Sequence, residues 1–136
     1  MNWKKKSAAA LSVLALAGSG MIMSATPTSA APAASASAAG DCPNARLCIY
    51  DDTDFNGDRI TSASTNACFT PWNTVLFGSI RSYVSNSPVT AKVWKKNSGA
   101  GYTAVRTLPA GGFSSDIGTP VGGGQYDKVC LGSAKP

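Results

Sequence analysis

The chain has 136 residues, with 12 basic and 7 acidic side chains, a formal net charge of +5 and no histidine. Every acid is an aspartate, so histidine and glutamate are both absent, which excludes Ser-His-Asp and Cys-His nucleophilic arrangements and every histidine-ligated zinc centre. Three of the 12 cations are Lys4, Lys5 and Lys6, so the balance beyond residue 40 is 9 − 7 = +2; those cations are scattered, and no nucleic-acid partner is expected.

Residues 1–30 read as a secretory signal. The short basic start is followed by an uncharged apolar run, Ser7 to Met23, and then by small residues at Thr28-Ser29-Ala30 and again at Ser37-Ala38-Ala39. A membrane anchor fits less well, because Gly18, Ser19 and Gly20 interrupt a run that is barely long enough to span a bilayer. Residues 31–40 are rich in Ala, Ser and Pro and read as a flexible leader. Residues 41–136 remain as one small exported domain, with no membrane contact once the signal is removed. All four cysteines, Cys42, Cys48, Cys68 and Cys130, fall in that part. An even count in a small exported domain predicts two disulfides, with three pairings open.

The first element is a β-hairpin. Arg46 to Tyr50 and Arg59 to Thr61 form its arms, and Asp51 to Asp58 its long folded turn. Tyr50, Phe55 and Gly57 follow an aromatic-x4-aromatic-x-Gly spacing: Phe55 folds back onto Tyr50, and Gly57 takes backbone angles that a β-carbon would resist. Thr61 to Asn66 is loop. Cys68 to Asn73 is aromatic but broken by Pro71, which disfavours a central strand. Val75-Leu76-Phe77 is a short strand or turn. Ser79 to Val84 is a strand, with Ile80, Ser82 and Val84 facing inward. In Val89 to Trp94, Val89, Ala91 and Val93 share one face, and Thr90, Lys92 and Trp94 the other. Lys95 to Gly101 is a turn and Tyr102 to Leu108 a strand. Pro109 to Gly112 is a second turn, followed by a strand within Phe113 to Ile117. The last strand, Tyr126 to Leu131, carries Cys130 and follows the bend at Gly122-Gly123-Gly124. No helical periodicity survives beyond residue 40, so the domain is all-β.

A weak repeat runs through it. Cys48 to Gly57 resembles Lys92 to Gly101, with Trp94 in the place of Tyr50, Gly101 in that of Gly57, and Gly99 where an aromatic would match Phe55. Two four-stranded units of this kind predict a two-motif Greek-key sandwich.

The intact and decayed copies of this hairpin resemble the βγ-crystallin fold. The run Cys42-Pro43-x-x-x-Leu47-Cys48-x-Tyr50 behind a secretion signal is similar to the secreted metalloproteinase inhibitors of peptidase inhibitor family thirty-six, over roughly residues 42–112. The resemblance implies a disulfide-stabilised βγ-crystallin-like sandwich, a Cys42–Cys48 bridge, and with it Cys68–Cys130. It also implies an extracellular protease as partner. In the best-known inhibitor of this type a second disulfide closes a short loop that enters the protease cleft, and this chain has no cysteine pair around residues 89–100. The calcium ligands of crystallins do not carry over either. The matching stretch, Phe77 to Ser82, lacks both acid or amide positions and has Arg81 in place of a hydroxyl.

Asp52, Asp54 and Asn56 imitate the opening of an EF-hand loop. However, Ala63 stands where the bidentate acid belongs, and strands flank the loop in place of helices. They form a weak metal candidate at most, and no metal or cofactor is expected. For catalysis, Asp51, Asp52, Asp54 and Asp58 crowd into one solvated turn while Asp41, Asp116 and Asp127 are isolated. No residue set supports an enzyme.

The expected function is a secreted, monomeric peptidase inhibitor, directed at metalloproteinases, that displays a surface loop rigidly. One candidate segment is Cys68 to Asn73, with Phe69, Pro71 and Trp72 as the interface. The other is Asn44 to Leu47 inside its small ring. The competing expectation is a non-inhibitory module that binds cell-wall polysaccharide through Trp72, Trp94 and Tyr102, or a structural envelope protein.

Overall fold

The computed structural model describes residues 41–74 and 76–136; residues 1–40, where a signal and a leader are expected, lie outside the described residues. Eight strands follow in order: β1 (Leu47–Tyr50), β2 (Arg59–Ser62), β3 (Cys68–Phe69), β4 (Ser82–Ser85), β5 (Ala91–Lys96), β6 (Tyr102–Leu108), β7 (Phe113–Ser114) and β8 (Lys128–Leu131). Between β3 and β4 the chain makes a 3-10 turn at Pro71–Asn73. They form two antiparallel four-stranded sheets, ordered β2-β1-β4-β7 and β3-β8-β5-β6. Each repeat contributes its first, second and fourth strands to one sheet and sends its third strand to the other. This exchange interlocks two Greek keys, so neither repeat completes its sheet alone. The chain forms the βγ-crystallin-like sandwich expected from its sequence.

The main core lies between the sheets and contains Leu47, Ile49, Ile80, Tyr83, Val93, Leu108, Val129 and Leu131 among its buried residues. β1 is buried on both faces. Leu47 and Ile49 enter the main core, while Cys48 and Tyr50 face outward into a second cluster with Val84, Phe55 and Cys42.

The folded hairpin after β1 creates that second cluster. Phe55 meets the Tyr50 ring edge-on, with centroids 5.9 Å apart. Ser82 pins the turn. Its buried hydroxyl accepts from the Phe55 N–H at 3.1 Å and donates to the Asp52 carbonyl at 2.6 Å. Asp51 closes the neck, accepting from the Asp58 N–H at 2.7 Å. Asp54, Phe55 and Gly57 all have positive φ, at 56°, 61° and 76°.

Several boundaries differ from expectation. β4 starts only at Ser82, and Tyr83, not Ser82 or Val84, joins Ile80 in the main core. The alternation breaks at Arg81, whose N–H bonds the Tyr50 carbonyl while Ile80 bridges Val121. Because the hairpin covers the outer face, Ser82 and Val84 are buried there and look like core positions in sequence. β5 runs on through Lys96 before turning. β8 starts at Lys128, since Asp127 is held in a turn by the Gly124 and Lys96 N–H groups. β7 stops at Ser114, where Asp116 forms its own turn with Gly118. Around residue 76 there is a turn rather than a strand.

Candidate functional site

The loop that follows β3 carries two exposed large apolar side chains, Trp72 and Leu76. Phe69 ends β3 half-buried against the main core. Thr70 then leads into Pro71, whose fixed φ suits the first position of the 3-10 turn. The turn is closed by the Asn73 N–H on the Thr70 carbonyl (3.2 Å) and the Thr74 N–H on the Pro71 carbonyl (2.9 Å). Pro71 is fully buried, and Phe77, at the far end of the loop, is 3% exposed. Between these anchors Trp72 is 52% and Leu76 82% exposed. Leu76 has φ 76°, a conformation that costs a bulky L-residue energy and persists only where its surroundings hold it.

Three constraints hold the base of this loop. Cys68 is bonded to Cys130, its direct cross-strand partner on β8. Lys128 Nζ donates to Thr70 Oγ1 at 2.7 Å. The burial of Pro71 and Phe77 fixes both ends in the core. A segment tied in this way loses little conformational entropy when a partner covers it. Among the three residues singled out in the sequence here, only Trp72 is presented to solvent; Phe69 and Pro71 pack inward and serve as anchors. Leu76 was not singled out, because an apolar triplet after a turn reads equally well as a buried strand.

The second candidate segment is also rigid but offers less surface. Cys42 and Cys48 are bonded, and Asn86 Nδ2 donates to the Cys42 carbonyl at 2.7 Å, docking the ring on the end of β4. Asn44, Ala45 and Arg46 are exposed, whereas Leu47 is 1% exposed and belongs to the core.

The Asp52, Asp54 and Asn56 set serves the hairpin turn. Asp52 Oδ1 accepts from the Thr53 N–H at 2.9 Å, and Asn56 Nδ2 donates to the Thr53 carbonyl at 3.3 Å. Among the described residues, no three His, Cys, Asp or Glu side chains converge to hold a metal ion. Trp94 lies on β5 and Gly101 in the turn before β6; Trp94 and Tyr102 are half-buried. An open groove of about 1300 Å³ lies between the β5–β6 hairpin and residues 119–127, and shares no residue with the loop after β3. One ionisable group is clearly perturbed. Burial raises the Tyr83 hydroxyl above its ordinary value, and the nearby Arg106 guanidinium partly opposes this.

No curated protein and no solved structure matches the chain. The sequence does match the description "Peptidase inhibitor family I36" over residues 35–105, just over half of the chain, taking in the whole first repeat and the start of the second. Membership of that family supports a peptidase inhibitor. On that match, the chain belongs to peptidase inhibitor family I36.

Proposed function

We propose that this chain is an exported, monomeric inhibitor of metalloproteinases whose reactive surface is the loop between Pro71 and Phe77. In this reading residues 1–30 are the export signal, residues 31–40 a leader, and residues 41–136 the inhibitory domain, which has no enzymatic activity of its own. The observation that carries the proposal is the exposure of Trp72 and Leu76 on a loop whose two ends are buried. A protease with an apolar specificity pocket would take Leu76, and Trp72 would pack on the rim, where tryptophan is a common energetic anchor. The loop resists turnover for two reasons. Its 3-10 turn and the positive φ at Leu76 are not the extended backbone a protease cleaves, and the disulfide and core anchors would hold both ends together after any cut. Without a cysteine pair around residues 89–100, the loop after β3 takes the part that a second bridged loop has in the inhibitors this chain resembles.

The test is an inhibition panel of thermolysin-type metalloproteinases, with a subtilisin-type enzyme as comparison, run on the disulfide-intact protein. Trp72→Ala and Leu76→Ala should each raise the inhibition constant at least about tenfold, as for a central interface anchor, with the melting temperature unchanged. Inhibition that survives both substitutions would place the reactive surface elsewhere, and no inhibition of any metalloproteinase would remove the proposal.

A further inference from the structure

The outer faces of the two sheets are finished differently. On the first sheet the folded hairpin and the Cys42–Cys48 ring cover Cys48, Tyr50 and Val84. On the second sheet Ala91 and Val93 enter the main core, so Lys92, Trp94 and Lys96 point away from it. The antiparallel register sets Lys128 beside Trp94 on one side and Ala104 on the other, and Tyr102 beside Lys96. The backbone positions of three lysines therefore flank that of one indole, Lys128 about 5 Å away across the strands and Lys92 and Lys96 about 7 Å away along β5.

No aspartate belongs to these rows. Five of the seven lie in residues 41–58, Asp116 is in the turn after β7, and the carboxylate of Asp127 is taken by the backbone N–H groups of Lys96 and Gly124. The lysines contact neutral groups: Lys96 Nζ donates to the Gly99 carbonyl at 3.2 Å and lies 5.1 Å from the Tyr102 ring centre, and Lys128 Nζ bonds Thr70. Trp94 Nε1 is buried without a hydrogen-bond partner among the described residues.

We infer that this face binds an anionic polysaccharide, a second site that does not depend on the inhibitor reading. Repeating acidic groups on the polymer meet Lys92, Lys96 and Lys128, and the apolar face of a sugar ring lies against Trp94 and Tyr102. Charge complementarity fixes the sign of the partner. The face holds no arginine for bidentate phosphate recognition, and the charge excess beyond residue 40 is small, which argues against a nucleic acid. The β6 positions paired with Trp94 and Lys92, Ala104 and Thr107, are too small to enter a lipid bilayer.

The test measures binding of the disulfide-intact protein to immobilised polygalacturonate and, separately, to phosphomannan, a polysaccharide that carries phosphodiesters. Chitin serves as the uncharged comparison, and duplex DNA and anionic vesicles as competitors. Retention by either acidic glycan that weakens with salt is expected, and the two arms tell whether carboxylate or phosphodiester is preferred. Lys92→Gln with Lys96→Gln should weaken binding about five- to tenfold. Lys95→Gln with Lys135→Gln removes the same charge elsewhere and should change binding less than about twofold. Unchanged melting temperatures establish that both double variants fold. Equal losses in the two pairs, equal retention on chitin, tighter binding to DNA or vesicles, or no retention by either acidic glycan overturns the assignment.

Discussion

The two hairpins of this protein close equivalent turns by different means. In the first, an aromatic pair, a buried serine and an aspartate neck pin the turn across its own sheet. In the second, Gly99 replaces the aromatic, and the turn is held by the Asn97 N–H on the Gly101 carbonyl and by Asp127 on the Lys96 N–H. At the register position where Ser82 faces Tyr50, Lys128 faces Trp94. A hairpin that keeps its aromatic becomes a lid over the outer face of its sheet. A hairpin that has lost it leaves that face to solvent, where a partner can reach Trp94 and its lysines. The same strand plan thus yields one sheet whose central strands, β1 and β4, are buried on both faces and one whose strand β5 alternates between buried and accessible residues.

The largest contrast to test lies in the disulfides. Cys42–Cys48 closes a ring within the first repeat with a separation of 6, whereas Cys68–Cys130 joins the two repeats with a separation of 62. Chain-entropy reasoning gives about 2 kcal/mol for the former and about 4 kcal/mol for the latter. Denaturant unfolding of the two double Cys→Ala variants should therefore show the greater loss for the Cys68/Cys130 pair; equal losses would mean that the repeats do not depend on that cross-link.

A smaller contrast separates the hairpins themselves. At Gly57, φ is +76° and an added β-carbon would overlap the Asp51 carboxylate and press on Asp52 at 3.1 Å. At Gly101, φ is +87° but the nearest atom to such a carbon is the Asn97 amide at 4.0 Å. Gly57→Ala should cost about 2–4 kcal/mol, combining backbone strain with loss of the neck, and Gly101→Ala about 1 kcal/mol from strain alone. Melting temperatures of the two variants provide the check, and a Gly101→Ala loss as large as that of Gly57→Ala would erase the distinction.

The smallest effect concerns Tyr83, where the two repeats meet: it stands on β4 in the main core, with Arg106 of β6 nearby. Its folded pKa is raised above 10.0, chiefly by burial, so the native state holds the hydroxyl proton more tightly than the unfolded chain. The corresponding stability is fully present below pH 10.0 and is lost as pH rises through the raised folded value. Tyr83→Phe should flatten the alkaline limb of the stability profile, as read by denaturant melts at stepped pH. An unchanged limb would assign the alkaline loss to another group.

Most of the fold could be read from residue pattern. The Tyr50, Phe55 and Gly57 spacing marks a folded hairpin because few other arrangements need an aromatic and a permissive glycine at that distance. The strand Tyr102 to Leu108 is found as expected because turns bracket it on both sides. The inward set of Ser79 to Val84 departs from its pattern because period-two alternation reports only one buried face, and here a distant turn buries the other. The candidate site was legible only in part. Pro71 and Trp72 signalled a stiff aromatic segment, but nothing local distinguishes the buried Phe69 from the exposed Trp72.

Composition and spacing alone determined the fold class, the lack of histidine chemistry and the presence of two related hairpins, because each follows from short-range backbone preferences and from which residues exist. The tertiary structure alone decided which strand each repeat gives away, that Leu76 rather than Phe69 faces solvent, and that a folded hairpin covers the outer face at β1 and β4 but not at β5. Those outcomes depend on burial by residues far away in the chain, and burial is set by the packed whole.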